Sequence, residues 1–337
     1  MTYFITGAAG FIGYFLSKEL LNNSQTVIAL DSLNEEYSPI LKQERVKELQ
    51  KNKNFHFFCG NIEDISIIEY IFLNYKIDIL IHLATQIKHD INTQSQKIYN
   101  SCPIGILNLL EACRKADIRH FLFASSASLY GSNTKTPSKE NDLYNLTISQ
   151  HTLAKRANEL IAYSYSHLYH VPSTALRFFH VYGPLGRPDM AYFKFADKIL
   201  KNERIQLFNN GKLYRNYTYI DDVIDAIIKL IPLPPCKSKE ESATQNNAFE
   251  MNPYFDVFNI GNEKPILIND LITILEEKLK KKAIKQFMSM QKINTYPINA
   301  SIEKLHNKTG WKPLTSLEEG IGKFAKWFLK TNNKLSI

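Results

Sequence analysis

The feature that most constrains this chain lies within residues 1–31. A short apolar run (Tyr3, Phe4, Ile5) leads into Thr6-Gly7-Ala8-Ala9-Gly10-Phe11-Ile12-Gly13, then a helical pattern, then a second apolar run ending at Asp31. A strand, a glycine turn, a helix and a parallel strand form a βαβ unit of the kind that holds dinucleotides. Gly7 would permit the sharp turn, Gly10 would let backbone N–H groups approach a pyrophosphate, and Gly13 would let the helix pack on the strand. The free N–H groups and positive dipole end of the helix would then face the phosphates. Asp31 stands 18 residues beyond Gly13. A carboxylate there accepts hydrogen bonds from a ribose 2′-hydroxyl and repels a 2′-phosphate, so the expected cofactor is NAD rather than NADP.

The rest of the chain continues the alternation. A charged helix is predicted around 39–52, a strand over Phe55–Cys59, and a buried strand over Asp78–Ala84 whose lack of polar alternation suits a parallel sheet. Helices are predicted over about 92–115 and 149–169, and strands over Phe121–Ser125 and Ser173–Phe178. This order gives an α/β fold with a doubly wound parallel sheet. Residues 1–180 form the expected dinucleotide domain, with 216–231 and 256–262 returning to it. Residues 181–215 and 263–337 form a smaller α/β domain for substrate, 232–255 reads as a surface insertion, and the last amphipathic helix covers 316–331.

Several function classes are excluded. The net charge of +8 is scattered except for Lys278, Lys280, Lys281, Lys282 and Lys285. Such a run reads as a solvated helix face, since no arginine or aromatic patterning for nucleic acid accompanies it. Cys59, Cys102, Cys113 and Cys236 have no metal-ligand or disulfide-framework spacing, and His82, His120 and His167 read as ordinary fold positions. The first strand starts at residue 2 and no apolar run approaches the ~18 residues of a membrane span. A soluble, cytoplasmic protein with free thiols is expected.

Three further stretches carry chemistry. Ala124-Ser125-Ser126-Ala127-Ser128-Leu129-Tyr130-Gly131 ends the fifth strand, where ligands meet open parallel sheets. His151-Thr152-Leu153-Ala154-Lys155 puts two functional groups on one helix face. Leu176-Arg177-Phe178-Phe179-His180-Val181-Tyr182-Gly183-Pro184 runs into Gly186-Arg187-Pro188-Asp189-Met190-Ala191.

With these stretches, DSLNEEYSPILKQERVKEL, AKRANELIAYSYSHLY, NYTYIDDV, FNIGN and GWKPLTSLEEGI in order, the chain resembles the extended short-chain dehydrogenase/reductases that act on nucleotide sugars. The UDP-glucuronate 4-epimerases are the nearest branch. The resemblance implies a Rossmann-type fold, bound NAD, and a homodimer built on the 92–115 and 149–169 helices. It also implies inversion at the sugar 4-position through a 4-keto sugar. Cofactor contacts are implied at Gly7, Ala9, Gly10, Phe11, Ile12, Gly13, Asp31, Asn61, Ile62, Leu83, Ala84 and Lys155. Ser126 would relay a proton and Lys155 would bind the nicotinamide ribose. Substrate contacts are implied at Ser126, Ser128, His180, Arg187 and Arg215, with Arg187 on the sugar carboxylate and Arg215 on the diphosphate. Lys212 and Tyr219 are weaker candidates nearby, and Arg177 reads as structural. No metal is implied.

The main departure is His151, which stands where the family has its tyrosine base. Imidazole, with an unperturbed pKa near ~6.5, can act as a base at neutral pH, and a cationic Lys155 one turn away would hold it neutral. Its shorter reach argues the other way, because a misplacement of an ångström can cost roughly a hundredfold in rate. A working base and a lost one both stand open, and Tyr144 is not a substitute for it. Other departures are His180 for threonine, Asn61 for aspartate, Thr85 for alanine, Cys102 for asparagine, and Ile87-Lys88-His89-Asp90 for the usual Ala-Gly-Val-Arg. Alongside 4-epimerisation, two readings remain: a related dehydrogenase, dehydratase or decarboxylase, and a protein that binds NAD and nucleotide sugar without turnover.

Overall fold

The computed structural model describes residues 1–85, 100–131, 136–142, 149–237, 252–289 and 299–335. Tyr144, Ile87–Asp90 and most of the 232–255 segment lie outside these. The chain runs β1 (Thr2–Thr6), α1 (Phe11–Asn22), β2 (Thr26–Asp31), α2 (Pro39–Leu49), β3 (Phe55–Cys59), α3 (Ile65–Asn74) and β4 (Ile79–His82). It continues with α4 (Gly105–Ala116), β5 (His120–Ser126), α5 (Gln150–Tyr169), β6 (Ser173–Phe178), β7 (His180–Tyr182), α6 (Ala191–Lys201), β8 (Arg204–Phe208), β9 (Tyr214–Arg215) and β10 (Tyr217–Tyr219). The last elements are α7 (Ile220–Leu230), β11 (Phe255–Ile260), β12 (Ile266–Leu267), α8 (Ile268–Leu279), β13 (Ile284–Met288), α9 (Glu303–Thr309) and α10 (Leu317–Leu335).

The first of two compact units comprises 1–131, 140–178 and 226–258. Its sheet has seven strands in the order β11-β6-β5-β4-β1-β2-β3. Pairing from β3 through β6 is parallel throughout. The central strands read as unbroken apolar runs because helices cover both faces, and Phe4, Ile28, Leu80, Phe121, Phe123 and Ala175 are fully buried in one core. β3 and β6 fall on the residues expected. β4 is shorter than expected, since Asp78 turns its carboxylate to the N–H of Thr2 at 2.7 Å before the strand begins. Ahead of α4 the chain makes a wider π-type turn over Asn100–Ile104 that contains Pro103. A proline has no N–H to give the α-helical ladder. Of the helix expected over 92–115, residues 92–99 lie outside the described residues, and the regular α-helix of the described part starts at Gly105.

The second unit comprises 132–139, 179–225 and 259–337. Residues 216–225 and 259–262, both expected to return to the first unit, group here, the former with β10 paired in parallel to β7. A further parallel pair, β8 with β13, went unforeseen. Its core is aromatic: Phe193 meets Phe324 and Phe328 with ring centroids 5.6 and 5.1 Å apart, and Tyr192 meets Phe324 edge-on at 4.8 Å. Trp311 is fully buried, its indole N–H donating to the Asp222 carbonyl at 2.9 Å. The lysine run begins in the last turn of α8 and continues past its end, with Lys278 paired to Glu277 and Glu318 and Lys282 and Lys285 to Glu276.

Candidate active site

The strand order reverses between β1 and β4, and the glycine turn sits there, at the carboxyl ends of the strands. Gly7 has φ +72°, and a Cβ on it would stand 2.6 Å from the Ala84 nitrogen. Gly10 caps α1 without a side chain, so the first-turn N–H groups face outward for an anion. A Cβ on Gly13 would overlap the Gly7 carbonyl oxygen, so only glycine lets helix and turn touch. Asp31, at the tip of β2, accepts the N–H of Ala9 at 3.0 Å and that of Leu33 at 2.9 Å. Burial raises its pKa, while those N–H bonds and the charges of Lys42 and Arg45 act to keep it ionised. Arg45, itself buried, donates from Nη1 to the Ala9 carbonyl and the Tyr37 hydroxyl, each at 2.7 Å. A glycine cradle, a bare helix N-terminus and a braced carboxylate are what a dinucleotide requires, and the residues fit NAD. Ile62 is buried against this region and Asn61 is exposed.

A second group forms at the tip of β5. Ser126 donates from Oγ to the Ser128 Oγ at 2.9 Å and accepts the Ser128 N–H at 3.1 Å. α5 starts where Ser149 accepts the Thr152 N–H, which puts His151 in the first turn, half-buried, and Lys155 one turn further on, buried. The Lys155 ammonium donates to the Ala124 carbonyl at 2.8 Å. Burial lowers its pKa, with Cys102 and Glu159 pulling the other way. One more turn along, Glu159 accepts the Ser125 hydroxyl at 2.5 Å and a two-pronged contact from Arg177 Nε and Nη2, both at 2.9 Å. Arg177 also donates to the Tyr130 hydroxyl and the Glu140 carbonyl. Two successive turns of α5 are thereby fastened to the last residues of β5, the strand that carries Ser126.

The fold histidines are clamped. His82 shares a 2.8 Å hydrogen bond between Nδ1 and the Thr6 hydroxyl, and burial with the charge of Lys155 pushes its pKa down to about 3. His120 bridges the Ile231 carbonyl and the Thr174 hydroxyl at 3.0 and 2.8 Å.

Within the second unit, His180, Asp189, Phe195, Phe208, Arg215 and Tyr217 line a cavity of about 270 Å³. His180 is exposed as a residue, but the atoms gathered around its ring and the charge of Arg215 push its pKa down to about 4. Arg215 donates to the Tyr214 carbonyl at 2.9 Å, and burial lowers its pKa. Arg187 does not reach out alone: it grips the Asp189 carboxylate through Nε at 3.0 Å and Nη2 at 2.6 Å. Lys42, Arg45, Glu159 and Asp189 were not singled out by the sequence reading. A signal existed for Glu159, which lies four residues after Lys155 on the same helix face, and for Asp189, two residues after Arg187 across a proline.

The family model for the NAD dependent epimerase/dehydratase family matches residues 3–241. "Protein CapI" of Staphylococcus aureus is 36% identical over 335 residues, covering 99% of this chain and 100% of that protein. The "Probable UDP-glucuronate 4-epimerase" of Rhizobium meliloti is 34% identical, covering 97% of each. The solved UDP-glucuronic acid 4-epimerase of Bacillus cereus, in complex with UDP-glucuronic acid and NAD, has a TM-score of 0.85 at 28% identity, covering 98% of this chain and 99% of that one. The chain belongs to the NAD-dependent epimerase/dehydratase family of extended short-chain dehydrogenase/reductases.

Proposed function

We propose that this protein is an NAD-dependent UDP-glucuronate 4-epimerase, giving UDP-galacturonate. The observation that carries the reading is the likeness, along nearly the whole chain, to proteins of that name, together with Ser126, Lys155 and Arg187 at the positions where the family acts. Bound NAD supplies a hydride acceptor for the sugar 4-carbon and then a donor to its opposite face. Gly7, Ala9, Gly10, Phe11, Ile12 and Gly13 hold the pyrophosphate, Asp31 the adenosine ribose, Asn61 and Ile62 the adenine side, and Leu83, Ala84 and Lys155 the nicotinamide half. His151 takes the 4-hydroxyl proton, with Ser126 and Ser128 hydrogen-bonded to the sugar. Arg215 and His180 hold the diphosphate side, and Arg187 holds the uronate carboxylate, for which a planar guanidinium suits two parallel N–H bonds.

The test is turnover of UDP-glucuronate by purified protein with the product identified. Formation of UDP-galacturonate supports the reading; a dehydrated or decarboxylated product replaces it with a related reaction. The histidine at position 151 favours one second reading, a protein that binds NAD and nucleotide sugar without turnover. Tight binding of both with no product would select it.

We also assign a homodimer and a cytoplasmic location. Leu107 on α4 and Leu153 and Leu160 on α5 are 41%, 45% and 53% exposed, large apolar groups suited to a helical interface. Leu110 and Ile161 of the same two helices pack into the sheet core instead. All four cysteines are free thiols, which suits a reducing compartment. Among the described residues no helix is long and apolar enough to cross a membrane.

A further inference from the structure

The Arg187 side chain already holds a carboxylate. Asp189 takes the Nε and Nη2 hydrogens side-on, at 3.0 and 2.6 Å. Among the described residues, all the hydrogen bonds of this guanidinium go to Asp189. A guanidinium has five N–H groups in one plane. With the Nε–Nη2 side taken, the Nη1–Nη2 edge is still able to meet a second carboxylate end-on. The pair is braced from the backbone: Pro188 fixes the turn, the Met190 N–H donates to the Arg187 carbonyl at 3.2 Å, and α6 starts at Ala191. Asp189 is a lining residue of the cavity that also presents His180 and Arg215.

The charges exclude a simple exchange. If the uronate of the substrate displaced Asp189 from Arg187, a free carboxylate would remain on the wall of the cavity to which the proposed function assigns the diphosphate. Against burial, which raises it, the hydrogen bond and charge of Arg187 hold the Asp189 carboxyl below its ordinary value. The ion therefore persists as an ion across neutral pH and stays most stable with its partner.

We propose that Asp189 is a specificity-determining positioning residue: it locks the plane of Arg187 side-on so that the Nη1–Nη2 edge receives the sugar carboxylate. The inference rests on the reading of Arg187 as the uronate contact. Asp189 touches neither reacting atoms nor cofactor in this role and acts through Arg187 alone. The opposite role, a built-in competitor that the uronate must evict, predicts the opposite sign.

The experiment is calorimetric binding of UDP, UDP-glucose and UDP-glucuronate to the NAD-loaded full chain, in the wild type, Asp189→Asn, Arg187→Ala and the double variant. The proposal expects Asp189→Asn to weaken UDP-glucuronate by roughly tenfold or more, the cost of a misdirected contact, and to leave UDP and UDP-glucose within about twofold. It also expects the double variant to bind UDP-glucuronate no more weakly than Arg187→Ala. Tighter UDP-glucuronate binding in Asp189→Asn would identify a competitor and overturn the proposal. Equal weakening of all three ligands would reduce Asp189 to a loop brace and overturn it as well. Equal loss of both sugars in Arg187→Ala is a separate result, one that removes the uronate reading itself and the proposal with it.

Discussion

Replacing Glu159 with glutamine tests how the site is held. The Glu159 carboxylate and Arg177 guanidinium are 2% and 0% exposed, with two N–H···O contacts of 2.9 Å between them. Burial raises the Glu159 pKa, but both of its oxygens accept N–H bonds from Arg177, which holds the ionised form. Glutamine keeps one acceptor but turns an NH2 donor toward a donor of Arg177, leaving a buried cation without its counter-charge. Breaking a buried pair in this way costs about 3–5 kcal/mol. At roughly 2–4 °C per kcal/mol for chains of about this size, the melting temperature should fall by about ten degrees. The damage should also reach the cofactor, because Glu159 Oε1 accepts both the Ser125 hydroxyl and Arg177 Nε, and an amide pushed aside by Arg177 Nη2 loosens the Ser125 contact beside the Ala124 carbonyl that Lys155 uses. NAD affinity should therefore fall together with stability. Urea denaturation and NAD calorimetry measure the two effects. The double variant Glu159→Leu with Arg177→Met removes both charges and should recover part of the lost stability. A loss below ~1 kcal/mol in Glu159→Gln, or a double variant as damaged as the sum of its singles, would refute the reasoning.

Asp31→Asn should raise NADP affinity relative to NAD at least tenfold, since the charges of Lys42 and Arg45 that now act on the carboxylate would be left for a 2′-phosphate. An unchanged ratio in calorimetry would assign discrimination elsewhere. His82 and His120 have folded pKa values of about 3 and about 4, below the ordinary 6.5. The unfolded chain binds their protons first, so their contribution is whole above pH ~6.5 and is lost as pH falls from there toward about 4 for His120 and about 3 for His82. The urea midpoint should drop between pH 7 and pH 5, and drop less in His120→Gln. His151→Ala should remove most turnover yet keep NAD binding, while full retention of turnover would place the base elsewhere, with His180 the next to test. Gly13→Ala should abolish NAD binding, because its Cβ would overlap the Gly7 carbonyl; normal affinity would show that the turn relaxes cheaply.

Local signals were enough for the central sheet. β3 and β6 are apolar runs bounded by turn residues, and they occupy the residues that this pattern marks. The glycine turn was equally legible, since each glycine answers a backbone demand that no other residue meets. The β8–β13 pair was not, because its partners lie some 80 residues apart and Ile284 and Phe287 are exposed, so no buried alternation marks the second strand. In the site, residue types were readable and their pairing was not. Arg187 carries a recognisable motif, but its bidentate hold on Asp189 depends on the turn at Pro188. Arg177 was read as structural, and its partner was hidden because a glutamate on a long polar helix looks solvated until the helix is laid on the sheet.

The edge strand β11 has a consequence for how the protein is made. Phe255 packs on Tyr163 at 5.4 Å and on Phe123 at 6.5 Å, and the Ser173 N–H bonds the Tyr254 carbonyl. The sheet that carries the glycine turn is therefore unfinished until residues far past β6 have been synthesised. At roughly 5–20 residues per second, a nascent chain waits seconds with the outer edge of β6 unpaired. Such an edge is a template for strands of other chains. A fragment cut between β6 and β11 would keep the whole glycine turn and still be sticky, and an N-terminal fragment meant to bind NAD on its own must carry residues 226–258 in some form.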